Sequence, residues 1–192
     1  AVTTGQNNTF IGALAGDAIT TSNNNLAIGY KALSADTTGT KSTAVGFEAL
    51  MSQNFTGNTD NYNVALGYAA GREITTGTQN TFIGGIAGDA TTTGTNNTAV
   101  GYNCFSSNTT GTVNTATGWF SLTLNTTGSQ NAAFGERALR SNTTGSFNTA
   151  VGSLALTSNT TGTRLTAIGW SALQSNTTGN YNAAGGWKAL NA

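Results

Sequence analysis

The chain has little with which to do covalent chemistry. Histidine is absent and Cys104 is the only cysteine, which removes the commonest general base, the commonest zinc ligand and any intrachain disulfide. A pair of carboxylates is the next candidate, because glycosidases need two at a set separation. Asp17 and Asp89 hold equivalent places in a repeat described below, yet four repeat units lie between them. Glu48, Asp60, Glu73 and Glu136 have no obvious partner beyond the adjacent arginines in Arg72-Glu73 and Glu136-Arg137. The Gly-Gly-x-Gly-x-Asp signature of calcium-binding β-helices is missing. No catalytic residue, metal ligand or cofactor site is expected. Cys104 is followed by Phe105 in an apolar stretch and is expected to be a buried, inert thiol.

Non-covalent chemistry is better provided for. Tyr30, Phe47, Tyr68, Tyr102, Trp119, Trp170 and Trp187 recur at one repeat position. In aligned units they would stack into a broken aromatic rank. Trp119, Trp170 and Trp187 are candidate binding residues, since indoles offer flat apolar faces with a polar tip. Packing within or between chains is the alternative use of the same rank. A nucleic-acid partner is not expected, because seven Lys and Arg balance seven Asp and Glu, and the basic residues are scattered singly instead of clustered. Nor is membrane insertion expected, for want of an apolar run of about 18 to 20 residues. Charged residues are only 7 % of the chain. With 37 % hydrophobic residues and no proline, the composition does not fit a chain kept unfolded by charge and proline.

The element that positions these residues is a repeat. A glycine preceded by Ala-Val, Ala-Ile or a close variant stands at 12, 29, 46, 67, 84, 101, 118, 135, 152, 169 and 186. The period is 17 residues, interrupted once by a four-residue insertion around Gln53 to Asn61. The cleanest unit runs from Asn148 to Arg164, through Thr149-Ala150-Val151-Gly152 and Ala155-Leu156 to Ser158-Asn159-Thr160-Thr161-Gly162. Residues 1–192 therefore read as a single array of eleven units.

Seventeen residues are too few for a helical-hairpin repeat, and Gly, Thr and Asn are poor helix formers. The expected fold is all-β: a parallel β-solenoid of eleven coils, each with two short strands joined at the glycine and closed by the Ser-Asn-Thr-Thr-Gly turn, a rod roughly 50 Å long. Ala150 and Val151 are consecutive and both apolar, so both strand faces need cover. One is covered by the coil interior and the other by an identical chain, which predicts an oligomer. Phe10 and Phe82 replace the Ala two before the glycine in units where the Leu four after it has become Gly16 or Gly88, as if a large residue fills space its neighbours vacate. Gly71 lacks such a Phe. Ser42 and Leu165 interrupt an otherwise regular row of Asn.

Asn25-Leu26-Ala27-Ile28-Gly29-Tyr30-Lys31-Ala32 and Asn97-Thr98-Ala99-Val100-Gly101 resemble the head repeats of trimeric autotransporter adhesins. The longer form with Ser141-Asn142-Thr143-Thr144-Gly145 is similar to 17-residue arrays of phage tail fibres and related bacterial surface proteins. The resemblance covers essentially the whole chain and implies a left-handed parallel β-roll, a homotrimer and a structural, receptor-binding or adhesion role in an extracellular fibre. The partners it implies are further copies of the chain and a cell-surface carbohydrate or protein receptor. The period exceeds the 14 to 15 residues or so of the adhesin heads, which enlarges one turn.

Two other readings have a basis in the residues. Ala1 and Ala192 both fall inside a unit, which is expected of a piece of a longer fibre or of an end-to-end self-assembling filament. Thr pairs such as Thr109-Thr110 and Thr160-Thr161 recur and raise an ice-binding surface. Adjacent Thr residues would give one outward rank, and turn stabilisation accounts for them more simply. The Asn-Thr-Thr sequons at Asn108, Asn125, Asn142, Asn159 and Asn176 follow from the consensus. If a specific site exists, it is expected where the array is broken, at the insertion with Phe55, Asp60 and Tyr62.

Overall fold

The computed structural model describes residues 3–191; Ala1 and Ala192, on which the expectation about cut repeats rests, lie outside the described residues. Eleven three-residue strands run from β1 (Thr9–Ile11) to β11 (Ala183–Gly185) and form one parallel sheet in chain order. The register keeps every repeat position in line, with Ala99, Ala116, Ala133 and Ala150 as successive partners. The protein is an all-β parallel solenoid with one coil per repeat, and there is no helix among the described residues.

Each coil supplies one strand, where two were expected. In the clean unit Gly152, Leu154 and Leu156 all have positive φ, at 133°, 63° and 52°. Left-handed residues alternating with ordinary ones cannot make an extended strand. The segment instead winds through tight turns, with the Ala155 N–H donating to the Gly152 carbonyl at 3.2 Å and the Thr157 N–H to that of Leu154 at 3.3 Å. It keeps a tie to the next coil through the Leu156 N–H and the Ala172 carbonyl, 3.0 Å apart. The turns also send successive side chains inward together. Ala155 and Leu156 are both fully buried, and burying a Leu is worth roughly 1.5–3 kcal/mol, enough to offset the roughly 1–2 kcal/mol of a left-handed non-glycine residue.

The repeat glycine is required by close approach. At Gly118 (φ 129°) a Cβ would stand 2.6 Å from the Gly135 carbonyl oxygen of the next coil. Stacked coils leave no room there for any side chain.

The interior is half apolar and half amide. The apolar half stacks the strand Ala with the Ala-Leu pair of the turn. Phe82 explains both Gly71 and Gly88: a Cβ on Gly88 would lie 2.7 Å from the Phe82 ring, and one on Gly71, in the preceding coil, 2.8 Å from it. One phenyl thus occupies the place of two leucines, and the glycine without a Phe of its own is accounted for by its neighbour's.

The amide half is two Asn ladders. In the first, the Asn114 backbone N–H and Nδ2 donate to Asn97 Oδ1 at 3.0 and 3.1 Å, while Nδ2 also donates to the Gly128 carbonyl at 2.9 Å. In the second, Asn125 Nδ2 donates to Asn108 Oδ1 at 3.1 Å and Asn142 Nδ2 to Asn125 Oδ1 at 2.8 Å. Buried amides survive because both ends are satisfied. Where Ser42 falls short in the first ladder, the longer Gln53 of the second reaches across: Nε2 donates to Ser42 Oγ at 2.9 Å and Oε1 accepts from Asn63 Nδ2 at 2.8 Å. At Leu165 the backbone leg persists, its N–H donating to Asn148 Oδ1 at 3.0 Å.

Candidate interaction surface

Three surface features carry chemistry, and the coil geometry positions each. The first is the outer face of the sheet. Strand residues alternate, so Ala150 is buried while Val151 is 39 % exposed. The residue before each repeat glycine points outward, giving a row that includes Ile11, Leu66, Phe134, Val151 and Ile168, all exposed. From Ile11 to Ile168 the row crosses nine coil steps, about 43 Å at 4.8 Å per step. The row is apolar apart from Thr117, and half-buried at Ile28, Val45, Ile83 and Val100; apolar patches of this extent are characteristic of interaction surfaces.

The second feature is the aromatic rank one residue past the glycine. Tyr30 and Phe47 stack at 5.2 Å between centroids, and Phe47 and Tyr68 at 5.4 Å. Trp170 and Trp187 stack at 5.7 Å. Cations cover further faces: Arg137 lies 4.7 Å from the Trp119 ring, and Lys188 lies 5.3 and 4.8 Å from Trp170 and Trp187. Phe120 meets Trp119 edge-on at 4.4 Å. Where neighbouring rings stack, their facing surfaces are occupied and the edges are exposed, so stacking of a ligand there requires a break in the rank.

The third is the insertion. Asp60 and Tyr62 come together there, and Lys41 from the coil below joins them. Lys41 Nζ donates to Asp60 Oδ2 at 2.6 Å and to the Tyr62 hydroxyl at 3.1 Å, Tyr62 donates to Asp60 Oδ2 at 3.2 Å, and Thr40 Oγ1 donates to Asp60 Oδ1 at 2.8 Å. The bond from Lys41 holds the Asp60 carboxyl below its ordinary range, and the same bond raises Lys41. Phe55 does not belong to this cluster. It is only 5 % exposed and offers its carbonyl to Thr38 Oγ1 at 2.7 Å. Phe55, expected beside Asp60 and Tyr62 at a binding site, thus offers little surface to a partner in the single chain. Lys41 belongs to the cluster although nothing in its own unit marks it; only the period places it one coil below the insertion.

Several other residues take structural places. Cys104 is buried with Sγ 3.3 Å from the Ala116 carbonyl, and burial pushes its thiol up to about 12. Asp17 and Asp89 lie four coils apart, about 19 Å. Asp89 is pushed up by burial, with Arg72 Nη2 3.7 Å away. The first Thr of most pairs ties coils together, as where Thr109 Oγ1 donates to the Thr126 carbonyl at 3.1 Å, and the second is exposed in all but Thr38. Sequon residues Asn108, Asn125, Asn142 and Asn159 are fully buried in the second ladder, where no glycan could be attached to the folded coil. No protein family, curated relative or solved structure matches the chain.

Proposed function

We propose that this chain is a structural, host-contacting segment of a trimeric extracellular fibre, in which the outer sheet face of each rod is covered by identical copies. The outward row from Ile11 to Ile168, apolar at every rung but Thr117, carries this reading. A mostly apolar row in register with the coils can pack against its copy when chains lie alongside, and a cyclic arrangement closes without leaving a row exposed. The number three and the left-handed winding come from the resemblance of the Asn-x-Ala-Val-Gly repeat to adhesin heads and tail-fibre arrays. A fibre role also agrees with a coil-on-coil scaffold whose contacts are all between nearest neighbours.

Sedimentation velocity on the purified chain tests it directly. Three times the chain mass is expected, falling to the single mass on combined Val151→Asp and Ile168→Asp substitution with the β circular dichroism retained. A folded monomer of the unsubstituted chain would refute the proposal.

A further inference from the structure

The aromatic rank is broken at two places along its middle, and the two breaks are furnished differently. At Gly85 a single ring is missing, and the neighbouring Tyr102 leans into the space, its Cδ2 3.4 Å from where a Gly85 Cβ would stand. Between Trp119 and Trp170 two successive rings are missing, replaced by Glu136 and Ser153. We infer that this second break is a binding site for a neutral hexopyranose of a surface glycan.

Its walls are aromatic. Trp170 stacks on Trp187 toward one end of the rod, and among the described residues no ring or cation lies against it from the Ser153 side. Trp119, the opposite wall, carries the Arg137 guanidinium at 4.7 Å. Three coil steps separate the two indoles, about 14 Å. A pyranose in van der Waals contact with Trp170 stands about 4 Å from it, which leaves room for its substituents and a linked residue.

The floor is polar and only loosely engaged. Glu136 Oε1 and Arg137 Nη1 form a loose, exposed ion pair at 3.6 Å, longer than a hydrogen bond, so both keep hydrogen-bonding capacity for a ligand. The Ser153 hydroxyl sits one rung further on. Carboxylate, guanidinium and hydroxyl beside an indole give the mixed polar and apolar lining that fixes a sugar: its C–H face on the ring, its hydroxyls on the floor. The ligand is neutral because the lining is balanced. A carboxylated sugar would meet Glu136, and the one cation beside it is already opposed by that carboxylate.

The inference deepens the host-contact part of the proposed function and rests on it for its use in the cell, but binding is read from one chain's residues and separately from oligomeric state. The probes are methyl glucoside, methyl galactoside, methyl mannoside and N-acetylglucosamine, titrated against the intact chain with tryptophan fluorescence and saturation-transfer NMR. At least one is expected to bind with a Kd on the order of 1 mM. Trp170→Ala, which removes the platform, and Ser153→Trp, which fills the break with the residue the next rung already accepts, should each weaken binding at least about tenfold. Glu136→Gln should weaken it by about threefold. Tyr30→Ala, in an unbroken run, should leave it unchanged. No saturable binding of any probe up to about 50 mM would overturn the inference, as would wild-type binding by a folded Ser153→Trp chain. Sedimentation of the same samples separates loss of the site from loss of the oligomer.

Discussion

If one phenyl ring takes the place of two leucines, then Phe82, Gly71 and Gly88 are energetically one unit. Phe82→Ala alone should cost about 3–5 kcal/mol, because a fully buried ring leaves a cavity that two glycines cannot fill. For a chain of this length that lowers Tm by about 10 °C. Gly88→Leu alone should also destabilise, by about 1–3 kcal/mol or more, since its Cβ would press on the Phe82 ring at 2.7 Å. The backbone is not the obstacle. Gly88 has φ 59°, and Leu122 and Leu139 hold the equivalent place at 51°. In the Phe82→Ala background each leucine, at 71 and at 88, should instead stabilise by about 1.5–3 kcal/mol, bringing the triple variant near the parent. Urea denaturation followed by circular dichroism at one fixed protein concentration measures the cycle. A Gly88→Leu effect equal in both backgrounds within about 0.5 kcal/mol would refute the shared-space account.

Other outcomes follow from the same coil geometry. Cys104→Ala places the consensus residue in the ladder, and because burial raises the folded thiol from 9.0 to about 12, the parent's stability contribution is full below about pH 9 and lost as pH rises toward 12. Denaturation across that window should favour Cys104→Ala by about 1.4 kcal/mol per pH unit, and the parent thiol should react with a disulfide reagent only after unfolding. Ala150→Asp, at a fully buried site without a hydrogen-bond partner, should abolish folding as read by circular dichroism, whereas Val151→Asp one residue on should not. Deleting Thr126 to Asn142, one period, should leave a folded rod shorter by about 4.8 Å in small-angle scattering; deleting Thr126 to Gly135 should unfold it. Replacing the insertion by a regular turn should change attachment to cells only if the exposed cluster of Lys41, Asp60 and Tyr62 contacts the host.

Much of the solenoid was legible because a period is a long-range statement written locally. Eleven glycines in register predict stacked coils, and the turn Asn and Thr residues reveal their function once stacked: each bonds its copy in the next coil. The surface rows were legible too, since position in the repeat fixes which rank a residue joins. The occupant of a rank's gap was less so. Trp119, Trp170 and Trp187 could be picked out by number, but whether their faces are covered depends on Arg137 and Lys188 from neighbouring coils.

By itself the sequence determined the period, the parallel stacking and the single break at the insertion, because these depend only on spacing and on residue types that tolerate tight turns. The tertiary structure alone decided how many strands a coil holds and which residues share a space. Ala155-Leu156 and Ala150-Val151 look alike as apolar pairs, yet left-handed backbone at Leu156 turns the first pair wholly inward while the extended second pair splits between core and surface. Gly71 likewise has no reason within its own unit; its reason is the Phe82 ring, one coil away. Backbone handedness and cross-coil packing are properties of chain segments brought together in space, and no local pattern of residue types records them.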